Sequence, residues 1–441
     1  MERRTNPEYP PAAPYAIWGL LITLTSAAGN TQLESLVEEA LRNNPGLKAA
    51  AYQVEGANAA RNGRRSLDPP QLGVEFFQAP ISSFPNPLDR QMEIDYSVQQ
   101  MIPFPGKRGA MVRAEGLRAD MLGREGESRR NSLIRDLKQR YYMLIFLNAR
   151  AKINAENRDW VNRLLGIARR QYEVGMGSQP DILRAQTELA VVTNEGITIT
   201  QERKTMEGMI NALLNRPVDR PFDSLDAAAM PDSLPWDFAQ LAGFAALHPE
   251  LQAMEAGARM ADAEVAAARK EFWPDFMVRG MYKDMLRGEH GEPEDNWAVM
   301  VGMDVPLAPW SLGGRRSALA RGRADLKRAE QEAQEMRNMR MARLREALLG
   351  VESGWNLLQL ARGSQVPQAE QALQSALSAY QTGRTEFLML LDAYKMSRMA
   401  RLDYQMAIMK LMQSRADLEE AVGMSLGEIE QRISLGSKEE R

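Results

Sequence analysis

The chain has 441 residues, with 55 basic and 58 acidic side chains, 44% hydrophobic residues and a mean hydropathy of −0.41. Balanced charge argues against a nucleic-acid binder, which carries a basic surplus or stripe, and low hydropathy with one short apolar run excludes a bundle of transmembrane helices. Cysteine is absent and the only histidines are His248 and His290, which argues against zinc fingers, thiol catalysis, disulfides and an acylated N-terminal cysteine, and starves most metalloenzyme schemes.

The N-terminus places Arg3 and Arg4 before an apolar run from Ala16 to Gly29 that ends in Ser26, Ala27 and Ala28. That pattern predicts a signal peptide over residues 1–29, the run being too short to span a bilayer. A Pro-rich insert, Pro7 to Pro14, is unusual in such a segment. Leu33 to Arg65 reads as a helix interrupted at Asn44-Pro45. Two alternating stretches follow and predict a β-hairpin over 70–102. Leu72, Val74 and Phe76 face one way and Gln71, Gly73 and Glu75 the other; then Met92, Ile94, Tyr96 and Val98 oppose Glu93, Asp95, Ser97 and Gln99. From Gly106 to Gln179 there is no proline, and apolar residues recur at three- and four-residue steps through Leu133, Leu137, Tyr141 and Leu144. This predicts a coiled-coil-like helix about 100 Å long, whose glycine-bearing first third leans on neighbours. A turn at Gly175 and a returning helix to Leu214 complete a helical hairpin over 106–216.

After a Pro- and Asp-rich connector, 217–247, the pattern begins again. His248-Pro249-Glu250-Leu251 echoes Asn44-Pro45-Gly46-Leu47. A second β-hairpin over 274–306 sets Phe276, Val278, Tyr282, Trp297, Val299, Val301 and Met303 against Asp275, Arg279, Lys283, Ala298, Gly302 and Asp304. A second helical hairpin over 310–424 passes Pro367 and turns at Gly383. Tyr172, Gly175, Leu183 and Ala185 align with Tyr380, Gly383, Leu391 and Ala393 at one constant offset, the mark of internal duplication. Repeats therefore span 30–216 and 248–424, followed by a polar tail, 425–441.

No Ser-His-Asp, paired-acid or phosphate-loop arrangement stands at usable spacing, so no catalytic residue, cofactor or metal site is assigned. Methionines along the last long helix, among them Met389, Met396, Met399 and Met406, suit Cu(I) or Ag(I) as thioethers, or simply pack. His290 lies among Glu289, Glu292, Glu294 and Asp295, a solvated loop or a weak divalent site.

The strands are about the length a membrane strand needs, with aromatic residues near their ends, although a soluble sheet packed on a helix would alternate too. Within a bilayer every backbone group must be paired, so a sheet there must close. Four strands cannot close, since barrels start at about eight, and the chain must then oligomerise. With the NPGLKAA and HPELQAM openings, the SVQQMIPFPGKRG segment, the YEVG and YQTG tips and the duplication, nearly the whole mature chain resembles the TolC family of outer-membrane efflux channels.

The resemblance implies a mainly α fold with a small transmembrane β part: a homotrimer whose protomers each give four strands to one barrel and their helical hairpins to a periplasmic tunnel. It implies an outer-membrane location, a periplasmic adaptor and an inner-membrane pump of RND type as partners, and contact with the lipid bilayer but not with nucleic acid. Glu75, Glu93, Asp95, Arg279, Lys283 and Asp304 would line the barrel lumen. Tyr380, Arg384, Glu386 and Asp392 would form the periplasmic gate, with Tyr380 and Arg384 bonding to a neighbouring hairpin, unless Tyr380, like Tyr172, merely packs the turn. Val174, Gly175, Ser178, Gly383 and Thr385 would meet the adaptor. Family members often carry two acidic residues one turn apart at the tunnel mouth; here Asp392 matches one position and Met389 occupies the other. The FPGKRG segment and methionine content are closer to the heavy-metal branch. Drug efflux, type I secretion and a soluble periplasmic coiled-coil adaptor are the other functions open to this sequence.

Overall fold

The structure, a computed structural model, describes residues 31–77, 79, 81–87, 93–175, 177–222, 237–285, 295–306 and 309–439. The expected signal peptide lies outside these residues, as do Glu289, His290, Glu292 and Glu294. The described residues are mainly helical, with four strands in one sheet.

Helices α1 (Thr31–Asn43) and α2 (Pro45–Gly63) are separate because Pro45 pushes Asn44 out of helical geometry, to φ −60° and ψ 123°. The Asn44 side chain then accepts from the N–H groups of Gly46 and Leu47 and caps α2. In the second repeat α6 (Pro249–Lys270) starts identically: His248 Nδ1 accepts from the Glu250 N–H at 3.1 Å. The repeated Asn-Pro and His-Pro openings are thus helix N-caps.

The long helices are α3 (Lys107–Glu173), its return α4 (Gln179–Leu213), and α7 (Pro309–Leu360), which runs through a π turn at Ala361–Gln365 into α8 (Val366–Gln381). That wider turn lies just ahead of Pro367, whose ring and missing N–H would disrupt regular helix. Helix α9 (Phe387–Val422) returns from the second tip. At 67 residues α3 is about 100 Å long. Its glycine-bearing first third leans on α2 and α6, as expected; a Cβ at Gly116 would lie against the Arg61 side chain.

Two segments that the sequence marks only by composition contain helices. The connector contains a helix, α5 (Phe238–Ala245), capped by reciprocal bonds between Asp237 and Gln240. The polar tail is a helix as well, α10 (Leu426–Glu439). Leu426, Ile429 and Ile433 fall on one face, and Leu426 and Ile429 are buried in the same cluster as Leu241, Leu344 and Leu418. Short charged flanks hid that face in the sequence.

Strands β1 (Gln71–Phe77), β2 (Glu93–Ile102), β3 (Asp275–Met285) and β4 (Asn296–Asp304) form one antiparallel sheet in chain order. The β2–β3 ladder, from Glu93 opposite Met285 to Ile102 opposite Phe276, joins the hairpins of the two repeats edge to edge. The hydrophobic core is strung along the molecule as three clusters: near the tips, around α1 with the middle of α3, and around α5 and α10. No helix among the described residues is long and apolar enough to cross a membrane.

Candidate functional site

The sheet is two-faced, and the ladder registers fix which residues share a face. Val74, Tyr96, Tyr282 and Trp297 form one row across all four strands, and Leu72, Val98, Gly280 and Val299 the next. This apolar face is open to the surroundings: Leu72 is 80% exposed, Val299 60% and Val301 71%. A row of bare aliphatic side chains of this kind marks a surface that meets something other than water. Tyr96 and Tyr282 lie 6.4 Å apart at one end, and Phe104 stacks on Trp273 at 4.8 Å at the other.

The opposite face carries all six residues expected to line a lumen. Glu75, Asp95 and Lys283 stand in one row. Lys283 bonds both Glu93 and Asp95, whose side chains are buried around it, and its ammonium lies 5.7 Å from the centre of the Phe77 ring. Arg279 donates from Nε to Gln99 Oε1 at 2.9 Å. Asp304 is exposed and lies 3.6 Å from the Arg315 guanidinium.

At the helical end of the sheet the Phe104-Pro105-Gly106-Lys107 segment acquires a structural role that its sequence did not reveal. Gly106 adopts φ 85°, and the Lys270 ammonium donates to its carbonyl. The Lys107 ammonium, only 7% exposed, sits 2.8 Å from both Glu271 and Asp275, and Asp275 also accepts from the Phe104 N–H. Burial lowers the Lys107 pKa, but its bonds to Asp275 and Glu271 outweigh this and leave it raised. Lys107 thus ties the start of α3 to the entry of β3.

The two tips differ. In both, a glycine in left-handed geometry ends the outgoing helix, Gly175 at φ 76° and Gly383 at φ 67°. The first tip is then pinned: Asp181 accepts from the Ser178 N–H at 3.3 Å, a capping box at the start of α4. The equivalent residues of the second tip are Glu386 and Met389, and the Glu386 side chain makes no cap bond to α9. Arg384 is exposed and bonds Thr382 in its own turn; Asp392 and Met389 are exposed on α9, while Thr385 is half-buried. Val174, Gly175, Ser178 and Gly383 are exposed.

Tyr380 lies inside the second tip. It takes the packing role: it is buried in the tip core, edge-on to Phe387 at 5.6 Å, and its shielded hydroxyl has no hydrogen-bond partner among the described residues. Burial, with Asp181 nearby, raises its pKa. Its repeat partner Tyr172 is half exposed. The duplication placed the two tyrosines alike; packing against α4 and α9 separates them.

Two charged clusters escaped the sequence. Near the tips, Glu188 is buried beneath Lys395 and Arg398, Arg398 also bonds Glu195, and Arg150 bonds Glu195 and Glu202. Lys395 and Arg398 tie α9 to the first hairpin, and Arg150 ties the two helices of that hairpin together. Farther along, Arg340 is 1% exposed between Glu420 and Glu250, with His248 Nε2 4.0 Å from Glu420. Burial and the adjacent Arg340 hold the His248 pKa down to about 4. Charged residues 45 or more positions apart leave no spacing signal that could have paired them. Among the described residues no three His, Asp or Glu side chains gather as a metal site.

Residues 36–216 and 244–424 each match the family described as outer membrane efflux protein. The two stretches begin and end at the same offset that separates Tyr172 from Tyr380. Among solved structures, the outer-membrane channel OprN superposes with a TM-score of 0.77 at 20% identity, over 89% of this chain and 90% of that one. The outer membrane protein VceC from Vibrio cholerae gives 0.73 at 20%, over 90% and 97%. CusC, whose structures concern transmembrane channel formation, gives 0.73 at 17%, over 91% and 96%. At these identities the likeness establishes the fold.

Proposed function

Since the chain belongs to the outer membrane efflux protein family, we propose that it is a passive trimeric conduit carrying substrate from the periplasm across the outer membrane. The observation that carries this reading is the four-stranded sheet with one bare apolar face. Among the described residues its outer strands, β1 and β4, each have a single partner, and an unpaired edge is not tolerated in lipid. Three copies supply twelve strands and remove every edge. The apolar rows then face lipid, and Glu75, Glu93, Asp95, Arg279, Lys283 and Asp304 face the lumen.

The helical hairpins extend into the periplasm and meet an adaptor at Val174, Gly175, Ser178, Gly383 and Thr385, the adaptor linking the channel to an inner-membrane pump of RND type. The gate is the second tip, with Arg384, Glu386 and Asp392 as its polar residues. Its missing capping box and the pinned first tip support that asymmetry. Tyr380 contributes packing to the tip. The cargo is metal cations.

Detergent-corrected light scattering should give three chains per particle; a stable monomer defeats the barrel. In planar bilayers Arg384→Ser should raise conductance, and Asp392→Asn should weaken cation selectivity, because three carboxylates around one axis attract cations. Unchanged conductance and selectivity in both variants places the constriction elsewhere.

A further inference from the structure

The two ends of the sheet differ in charge. At the end away from the helices stand Asp284 and Asp295, with Glu93 held by Lys283. At the helical end the chain turns basic: Arg61, Arg64 and Arg65 close α2, and residues 305–323 hold four arginines and no acid. The strands also reach this end beside exposed apolar residues. Leu67, before β1, is 44% exposed; Trp273, before β3, is 54% exposed; Trp310, after β4, is 87% exposed. An apolar face, then aromatic residues, then arginines is the order a protein surface follows from hydrocarbon into the headgroup layer.

The basic side chains here fall into two groups. Lys107 and Arg315 turn to the polar face, where Asp275 and Asp304 hold them. Arg65, Arg113, Arg269 and Arg316, one beside each strand, are exposed and have no ion-pair partner among the described residues. Successive helix residues diverge by about 100°. Arg269 precedes by two residues Glu271, which bonds Lys107, so it lies on the opposite side of α6. Arg65 holds the same place in the first repeat, six residues before its strand. Arg113, six residues after Lys107, is turned about a third of a circle away from it on α3, and Arg316 is turned away from Arg315. Arg316 also stands about 9 Å beyond Trp310, comparable with the depth of one headgroup layer. Of the nearby acids, Glu115 and Glu271 are engaged by Arg64 and Lys107, and Asp68 offsets one arginine of the four.

We propose that Arg65, Arg113, Arg269 and Arg316 form a collar that binds the headgroup phosphates of anionic phospholipids in the periplasmic leaflet. The planar guanidinium fork pairs with phosphate through two parallel bonds. The surplus of unpaired arginine favours a lipid with net negative charge over a zwitterionic one, whose ammonium group the collar would repel. The collar continues the bare apolar face of the sheet, so one lipid can lay its chains on that face and its phosphate on an arginine. The proposal rests on the channel reading, which sets the sheet in a bilayer with the helices in the periplasm.

The test reconstitutes the full-length protein into vesicles of phosphatidylcholine and phosphatidylglycerol, one of the two carrying brominated chains, and reads the quenching of tryptophan fluorescence. Comparing the two labelled lipids gives their relative affinity for the protein surface. Wild type should prefer phosphatidylglycerol about fivefold, and the preference should shrink at about 0.5 M salt. Changing Arg65, Arg113, Arg269 and Arg316 together to Gln should bring the preference close to one. The same loss of charge near the first tip, with Arg158, Arg163, Arg169 and Arg170 changed to Gln, should leave it at the wild-type value. If the fourfold collar variant does not insert, Arg269→Gln and Arg316→Gln singly should each lower the preference about twofold. A wild type without preference, a preference kept by the collar variants, or one lost in the tip variant overturns the proposal. Potassium conductance in planar bilayers separates the two levels: a conducting wild type without lipid preference refutes only the collar, and a wild type that does not conduct refutes the channel reading.

Discussion

Replacing Lys107 by Met tests the joint between helix and sheet. The side chain is 7% exposed and holds two carboxylates at 2.8 Å, those of Asp275 and Glu271, which are 25% and 38% exposed. Methionine preserves most of the volume but leaves two like charges facing each other without their cation. Breaking a fully buried ion pair costs about 3–5 kcal/mol. Here both acids retain contact with solvent, which screens them, so about 2–3 kcal/mol is expected. Asp275→Asn alone should cost less, because the Phe104 N–H keeps an oxygen acceptor. The double variant should be more stable than the sum of the single losses predicts, with a coupling of about 1–3 kcal/mol. The pair also has a pH signature. Since the Lys107 pKa is raised above its ordinary 10.5, the stabilisation is complete below that value and is lost only as pH rises through the higher native value. The assay is chemical or thermal loss of helical signal for wild type, both single variants and the double. A Lys107→Met protein as stable as wild type, or strictly additive losses, would refute the joint.

Val299→Arg places a charge mid-strand on the apolar face and should cost about 2–4 kcal/mol in a bilayer, seen as reduced membrane assembly. Ala298→Arg, one residue away on the polar face, should assemble nearly normally; equal assembly of the two reverses the facing. His248 is buried with a pKa near 4, against 6.5 when unfolded. The unfolded chain therefore takes up a proton that the native one refuses, and stability falls as pH drops from about 6.5 to 4, by about 3 kcal/mol per chain. His248→Asn, the cap residue the first repeat uses at Asn44, should remove that part of the acid sensitivity, and identical pH profiles would contradict the burial argument. Tyr380→Phe removes a buried hydroxyl that has no hydrogen-bond partner among the described residues and should leave conductance unchanged with stability equal or higher by up to about 1 kcal/mol. A large rise in leakage would show that the hydroxyl reaches a neighbouring chain after all.

The sequence by itself determined whatever depends on periodicity and on local backbone chemistry. Alternation between residues 71 and 102, and again between 275 and 304, set the two faces of each strand, because a pleated strand has a period of two whatever it pairs with. The three- and four-residue steps set the long helices, and Gly175 and Gly383 set their tips, because left-handed geometry favours glycine. Tertiary structure decided whatever depends on a partner distant in the chain. The pairing of β2 with β3 joins strands from different repeats and has no local signal. The seat of Lys107 between Glu271 and Asp275, and of Arg340 between Glu250 and Glu420, required four helices and a strand to arrive together. Duplication assigned Tyr172 and Tyr380 one role, but exposure is set by the surface packed over a side chain, and only Tyr380 is covered by another hairpin. Repeated sequence repeats backbone geometry, because that is local; it does not repeat environment, because each copy meets a different neighbour.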